Sequence, residues 1–303
     1  MLFRSLKENG MGCRKGRKYF GALSYADDIC ILSPSLRGLQ EMLDICDHFS
    51  IEYDVKFNPT KTQCIRFSKT EEWNDKAPLY LAGQTLSWVS TIKHVGNWLL
   101  FNLSEEVEIS RKRGIFYSSV NKLYSNFCNV GYKTIMKLFN SYCNSFYGAQ
   151  AWNFRDKHID DILKAWNKSV RHLCKLPYMT HTDFLPFLTN TLHIKDQLYL
   201  RALKLIFAMI NSNNQSVSFL GKFCMDNCCT IIGGNYRLIM NYLQTESVPY
   251  NEARLILEKR KRAHYDKQID MIIEILDSLD GEAIVNGFTE QELRDILCGL
   301  CVD

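Results

Sequence analysis

Little in this chain would take it into a bilayer or out of the cell. No apolar run approaches the ~18–20 residues that a membrane-spanning helix needs. The N-terminal Met1-Leu-Phe-Arg-Ser-Leu-Lys7 is too short in its apolar part to be a signal-peptide core. Twelve cysteines in 303 residues fall short of the density of a small disulfide scaffold. Reduced thiols in an intracellular protein of the cytoplasm and nucleus are therefore expected. Metal-finger spacing is missing as well. Cys224-Met-Asp-Asn-Cys-Cys229 and Cys298-Gly-Leu-Cys301 match no four-ligand template, and His264 is remote in sequence, so zinc is not expected. Acids are scarce at the start, where Glu8 alone faces Arg4, Lys7, Arg14, Lys15, Arg17 and Lys18. Such a lead-in reads as solvated and partly frayed.

What is present is uneven in charge. Residues 1–101 carry 13 Lys/Arg against 11 Asp/Glu, residues 102–210 carry 15 against 8, and residues 211–303 carry 9 against 14. A basic middle between a near-neutral and an acidic segment points to an anion-facing module. Its strongest feature is a helix predicted over 160–175. Lys164, Lys168, Arg171 and Lys175 recur there at i, i+4, i+7 and i+11, opposite Ile162, Leu163, Trp166, Val170, Leu173 and Cys174. Alone, such a row is an ordinary solvated face. In a basic segment it can follow a phosphate backbone, releasing counterions without reading sequence. The run Glu258-Lys-Arg-Lys-Arg262 is weakly compatible with nuclear targeting or RNA contact.

The first hundred residues have strand texture. Tyr19 to Leu32 reads as a hairpin with Asp27 and Asp28 at its tip, between apolar runs. Ser33-Pro34 then opens an amphipathic helix, with Leu36, Leu39, Met42, Leu43, Cys46 and Phe49 on one face. Asp-Asp is common turn chemistry. It is also a pair of hard oxygen donors of the kind Mg²⁺ takes together with substrate phosphates. Later come a turn at Asn58-Pro59, a polar loop over 69–80, and a short hairpin turning at Gly83-Gln84. Trp88 and Trp98 read as core. Lys61 is either an exposed turn lysine or a phosphate-facing point charge.

Tyr25-Ala-Asp-Asp28 between apolar strands resembles the Tyr-x-Asp-Asp hairpin of reverse transcriptases. Phe57-Asn-Pro-Thr-Lys-Thr62 with Cys64-Ile-Arg-Phe67, and Ser87 to Trp98, are similar to the next two blocks of that palm. Leu138 to Trp152 and Ala165 to Pro177 resemble the region that follows it in non-LTR (LINE-type, CR1/jockey-like) retrotransposons. The order of blocks over Leu23 to Leu188 is more specific than any single one.

The resemblance implies an RNA-directed DNA polymerase using an RNA template, a DNA primer and deoxynucleoside triphosphates, with Mg²⁺ or Mn²⁺. It implies Asp27 and Asp28 as metal ligands and catalytic residues, with Tyr25 and Ala26 positioning substrate. Lys61 would approach the phosphates, and His94, Val95 and Gly96 would grip the primer. The family draws one essential Asp from an upstream strand, and this chain has no Asp before Asp27. A truncated part, short of fingers and of that Asp, is the expectation, and a catalytically silent nucleic-acid-binding remnant is the alternative. The expected fold is α+β: a partial antiparallel palm sheet with a covering helix over 1–101, an all-helical thumb over 102–210, and a helical tail over 211–303.

Overall fold

The first hundred residues are organised around the helix carrying the Leu39, Met42, Leu43, Cys46 spacing. The computed structural model, which describes residues 1–69 and 77–278, places helix α2 over Leu36–Tyr53. Its N-cap is Ser35 and not Ser33: the Ser35 hydroxyl accepts from Gly38 N at 3.1 Å. Ser33 instead folds the turn before the helix, its Oγ donating to Ser35 O at 2.9 Å. Met42, Leu43 and Cys46 are buried, and their partners include a helix α1 over Leu2–Glu8. The basic lead-in is thus anchored, because Leu2 and Leu6 sit in the same core.

Among the described residues, ten short strands accompany these helices. They are β1 (Arg14–Lys15), β2 (Lys18–Tyr19), β3 (Ala22–Tyr25), β4 (Asp28–Ile31), β5 (Gln63–Cys64), β6 (Tyr80–Leu81), β7 (Gln84–Thr85), β8 (Ser87–Trp88), β9 (Thr91–His94) and β10 (Asn97–Leu100). The α+β class agrees with the sequence. The expected partial sheet, however, is divided: among the described residues the strands pair only two by two. Four pairs are antiparallel hairpins, and β5 pairs with β8 in parallel. The β6–β7 turn is Ala82-Gly83, one residue earlier than expected, with Leu81 opposite Gln84. Cys64, Leu79, Leu81 and Leu86 complete the core of this first compact unit, Met1–Val107.

The second unit begins at Glu108 and is helical among its described residues. Its helices are α3 (Glu106–Phe127, which begins just before the unit), α4 (Tyr132–Tyr142), α5 (Ile159–Leu173), α6 (Leu185–Leu188), α7 (Ile194–Ile210), α8 (Gln215–Asp226), α9 (Ile231–Leu243) and α10 (Tyr250–Ser278). Phe116, Phe139, Phe146, Trp152 and Trp166 form an aromatic core. Phe116 lies 6.0 Å from Phe139 and 5.2 Å from Phe146. Two of the core's polar contacts are made across elements: Trp166 Nε1 donates to Asn144 Oδ1 at 3.0 Å, and Asn235 Nδ2 donates to Trp152 O at 2.6 Å. Helix α7 packs against α8, α9 and α10. Residues 211–214 form the tight turn from α7 into α8, where Asn214 caps α8 through its side chain. The latter part of the acidic tail, Cys298 and Cys301, and part of the polar loop over 69–80 lie outside the described residues.

Candidate carboxylate hairpin and cationic helix

The acidic pair sits on a two-residue hairpin. Tyr25 pairs with Asp28, leaving Ala26 and Asp27 as the turn, and Ala22 pairs with Ile31 at the base. Ala26 has φ +52°, a left-handed conformation rare for a residue with a Cβ. Two-residue hairpin turns favour positive φ because their twist then matches the strands. Ala22 and Ile31 pack on the first unit's core, while Tyr25, Ala26, Asp27 and Asp28 are all exposed. The tip therefore presents two carboxylates to solvent, Asp27 from the turn and Asp28 from the start of β4. No group of three His, Cys, Asp or Glu side chains suited to a metal ion occurs among the described residues.

Lys61 lies in a turn built by Asn58. Asn58 Oδ1 accepts from Thr60 N at 3.1 Å and from Lys61 N at 3.2 Å. The Lys61 side chain is exposed. His94, Val95 and Gly96 form the β9–β10 hairpin tip, with His94 opposite Asn97. Val95 (φ +45°) and Gly96 (φ +79°) are both left-handed. Trp88 is partly buried against the core, and its Nε1 donates to Ala77 O at 3.3 Å.

In the second unit, α5 follows its expected pattern on the apolar side. Ile162, Trp166, Val170 and Leu173 are buried. The cationic side is shorter than the sequence predicts. Lys164 and Lys168 are exposed, and among the described residues no acid pairs with either. Arg171 is half-buried and turned to the backbone, with Nε and Nη2 donating to Thr180 O at 2.9 and 2.7 Å. Lys175 is not on the helix, which ends at Leu173. It occupies the left-handed position just past the end (φ +54°) while Leu176 N closes back on Arg171 O at 2.8 Å. That closure is the usual way to satisfy terminal carbonyls. Here it takes Lys175 out of register with the row.

Three other cations of the basic middle pair with acids of the protein itself. Glu108, 2% exposed, binds Arg111 at 2.9 Å and Lys112 at 3.5 Å, and Arg113 reaches Asp161 at 3.3 Å. Burial pushes the Lys112 ammonium below its ordinary range, against the pull of Glu108. The basic run near residue 260 also turns inward. Arg260 donates to Tyr242 O at 2.8 Å and Leu243 O at 3.0 Å, closing the end of α9. Lys261 Nζ lies 5.4 Å from the Phe187 ring centre, and burial lowers its pKa.

These two residues help line a cleft of about 510 Å³, with Asp183, His193, Asp196 and Tyr242. Composition gave no signal for it, since its residues come from α5 to α10. Tyr242 donates to Asp196 Oδ1 at 2.9 Å. Asp183 Oδ2 stands 3.3 Å from His181 Nδ1 and 3.1 Å from His264 Nε2. Burial lowers the His193 pKa to about 4. The imidazole is therefore neutral, with Nδ1 accepting from Lys195 N at 3.2 Å and Nε2 facing Asn167 Oδ1 at 3.1 Å. Most of the cleft's charge is thus already matched within the protein.

Among the described residues no helix is long and apolar enough to cross a membrane. A scan against models of known protein families finds no match, and no curated protein matches the sequence.

Proposed function

We propose that this chain binds nucleic acid as the palm-hairpin and following helical part of an RNA-directed DNA polymerase of the non-LTR retrotransposon type. One observation supports the binding half most directly. Lys164 and Lys168 stand exposed, one turn apart, on a helix whose other face is buried. Cations so placed neutralise phosphates of a template–primer duplex without reading its bases. The polymerase half rests on the Tyr25-Ala-Asp-Asp28 hairpin, with Asp27 and Asp28 as oxygen donors to Mg²⁺ or Mn²⁺ and Lys61 toward triphosphate oxygens. Hard cations fit such donors, and Mg²⁺ commonly takes one or two carboxylates plus phosphate oxygens. When bound, it would stabilise charge on the attacking and leaving oxygens. Two-metal nucleotidyl transfer needs a further carboxylate, and no third candidate joins the pair among the described residues. That favours, as second reading, binding without catalysis.

Duplex binding at graded salt, with primer extension on an RNA template, tests both halves. Lys164→Glu with Lys168→Glu should weaken RNA–DNA duplex binding and reduce the salt slope by about 2. Undiminished affinity would refute the binding face. Extension that Asp27→Ala abolishes supports the polymerase, whereas binding with no extension by the unaltered chain selects the second reading.

A further inference from the structure

We propose that Tyr178 and Met179 form a base-stacking tip in the loop that follows α5, taking an unpaired base of single-stranded nucleic acid. The inference rests on the nucleic-acid reading above and adds a ligand class to it. Tyr178 is 84% exposed and Met179 85%, the two most exposed large apolar side chains among the described residues. They are adjacent, at the centre of a turn closed by Thr180 N donating to Pro177 O at 3.1 Å.

The turn is pinned on both sides. Upstream, Leu176 N bonds Arg171 O, and the Arg171 guanidinium holds Thr180 O through two hydrogen bonds. Downstream, His181 contacts Asp183, whose Oδ2 also meets His264 of α10. A tip tied at each end keeps its side chains in water instead of folding them onto the core. Side chains held out in this way stay available to a partner.

The surroundings identify the partner. Exposed Lys175 lies three residues before Tyr178, and exposed Lys168 lies one turn before the Arg171 that grips the loop. Lysines beside an exposed aromatic are the two components of single-strand binding: charge on the backbone, and a ring on which any base can stack. In a duplex the bases are already stacked on one another. The tip therefore favours single strands and frayed ends over blunt duplex.

The test is fluorescence anisotropy of the full chain with labelled oligothymidylate and with a blunt duplex, at graded salt. Tyr178→Ala should weaken oligothymidylate binding roughly 5- to 100-fold. Its salt slope and duplex binding should stay unchanged, and Tyr178→Phe should retain affinity. The Lys164→Glu, Lys168→Glu variant should lower the slope on both probes. Oligothymidylate binding unchanged in Tyr178→Ala, yet weakened by the lysine variant, overturns the stacking tip and leaves the cationic face standing. No binding to either probe by the unaltered chain overturns both. Sedimentation with phosphatidylserine vesicles separates the other partner suited to an aromatic tip. Tyr178-dependent vesicle binding, with oligothymidylate binding independent of Tyr178, overturns the proposal in favour of a lipid surface.

Discussion

Arg171 holds the carbonyl of Thr180 with two nitrogens, Nε at 2.9 Å and Nη2 at 2.7 Å. A planar guanidinium can make both bonds at once, and a lysine ammonium lacks that fork. Arg171→Lys should keep the charge, release the 175–180 loop, and cost about 1–2 kcal/mol of stability. Urea unfolding gives the energy. Amide hydrogen exchange gives the location, with faster exchange expected at Thr180 N and Leu176 N. Unchanged exchange there would show that the clamp does not hold the loop.

His193 gives the second unit a defined acid sensitivity. Its neutral ring accepts from Lys195 N and so caps α7. Burial, with Lys195 adding to it and Asp183 opposing, pulls the pKa down to about 4. The unfolded chain takes up the proton near pH 6.5, before the folded one does. The stabilisation is therefore complete above about pH 6.5 and is lost as pH falls toward about 4, on the order of 3 kcal/mol in all. Asp196, whose pKa burial raises, acts with the opposite sign. The informative quantity is thus the difference from a His193→Asn variant, which keeps a capping oxygen. Unfolding at pH 7, 5.5 and 4.5 should show a shallower pH slope in that variant, and equal slopes would remove His193 from the account.

Elements stated by local periodicity were legible in the sequence. The buried stripe of α2 and the apolar face of α5 follow from three- and four-residue spacing, and the Tyr25–Asp28 hairpin from apolar runs on either side of a turn. Features decided by distant partners were not. Counting Lys and Arg cannot show that Arg113 reaches Asp161, or that Arg260 seals α9. Nor can it show that Arg171 serves a backbone carbonyl. The four-cation row shortens for that reason, and because Lys175 turns left-handed to end the helix. Turns carried by alanine or valine, at Ala26, Ala82 and Val95, are hard to read because neither residue favours positive φ. The resemblance suggested a partial antiparallel palm sheet, but strand pairing across the first unit depends on residues far apart in the chain, and among the described residues the strands pair two by two.

Gly233 is a close-approach position. A Cβ built there meets the carbonyl oxygens of Cys224 and Asn227, and neither can retreat without moving the end of α8. Gly233→Ala should therefore destabilise the second unit by roughly 1–3 kcal/mol. A melting temperature equal to that of the unaltered chain would show that α8 and α9 separate without cost.

Val95 carries strain at a position assigned by resemblance to the primer. Its φ of +45° puts a β-branched residue where left-handed backbone costs L-residues about 1–2 kcal/mol. Asparagine tolerates that conformation, and Asn-Gly is a favoured pair for a two-residue hairpin turn. Val95→Asn should thus stabilise the first unit by roughly 0.5–1 kcal/mol, less than the full strain because a half-buried apolar side chain is lost. Strain kept at a hairpin tip calls for a reason, and duplex affinity in the same variant supplies the discriminating measurement. A more stable variant that binds RNA–DNA duplex like the unaltered chain assigns Val95 to the turn alone. A more stable variant that binds more weakly assigns its side chain to the nucleic acid. A less stable variant shows that packing around Val95 outweighs the relief of its backbone.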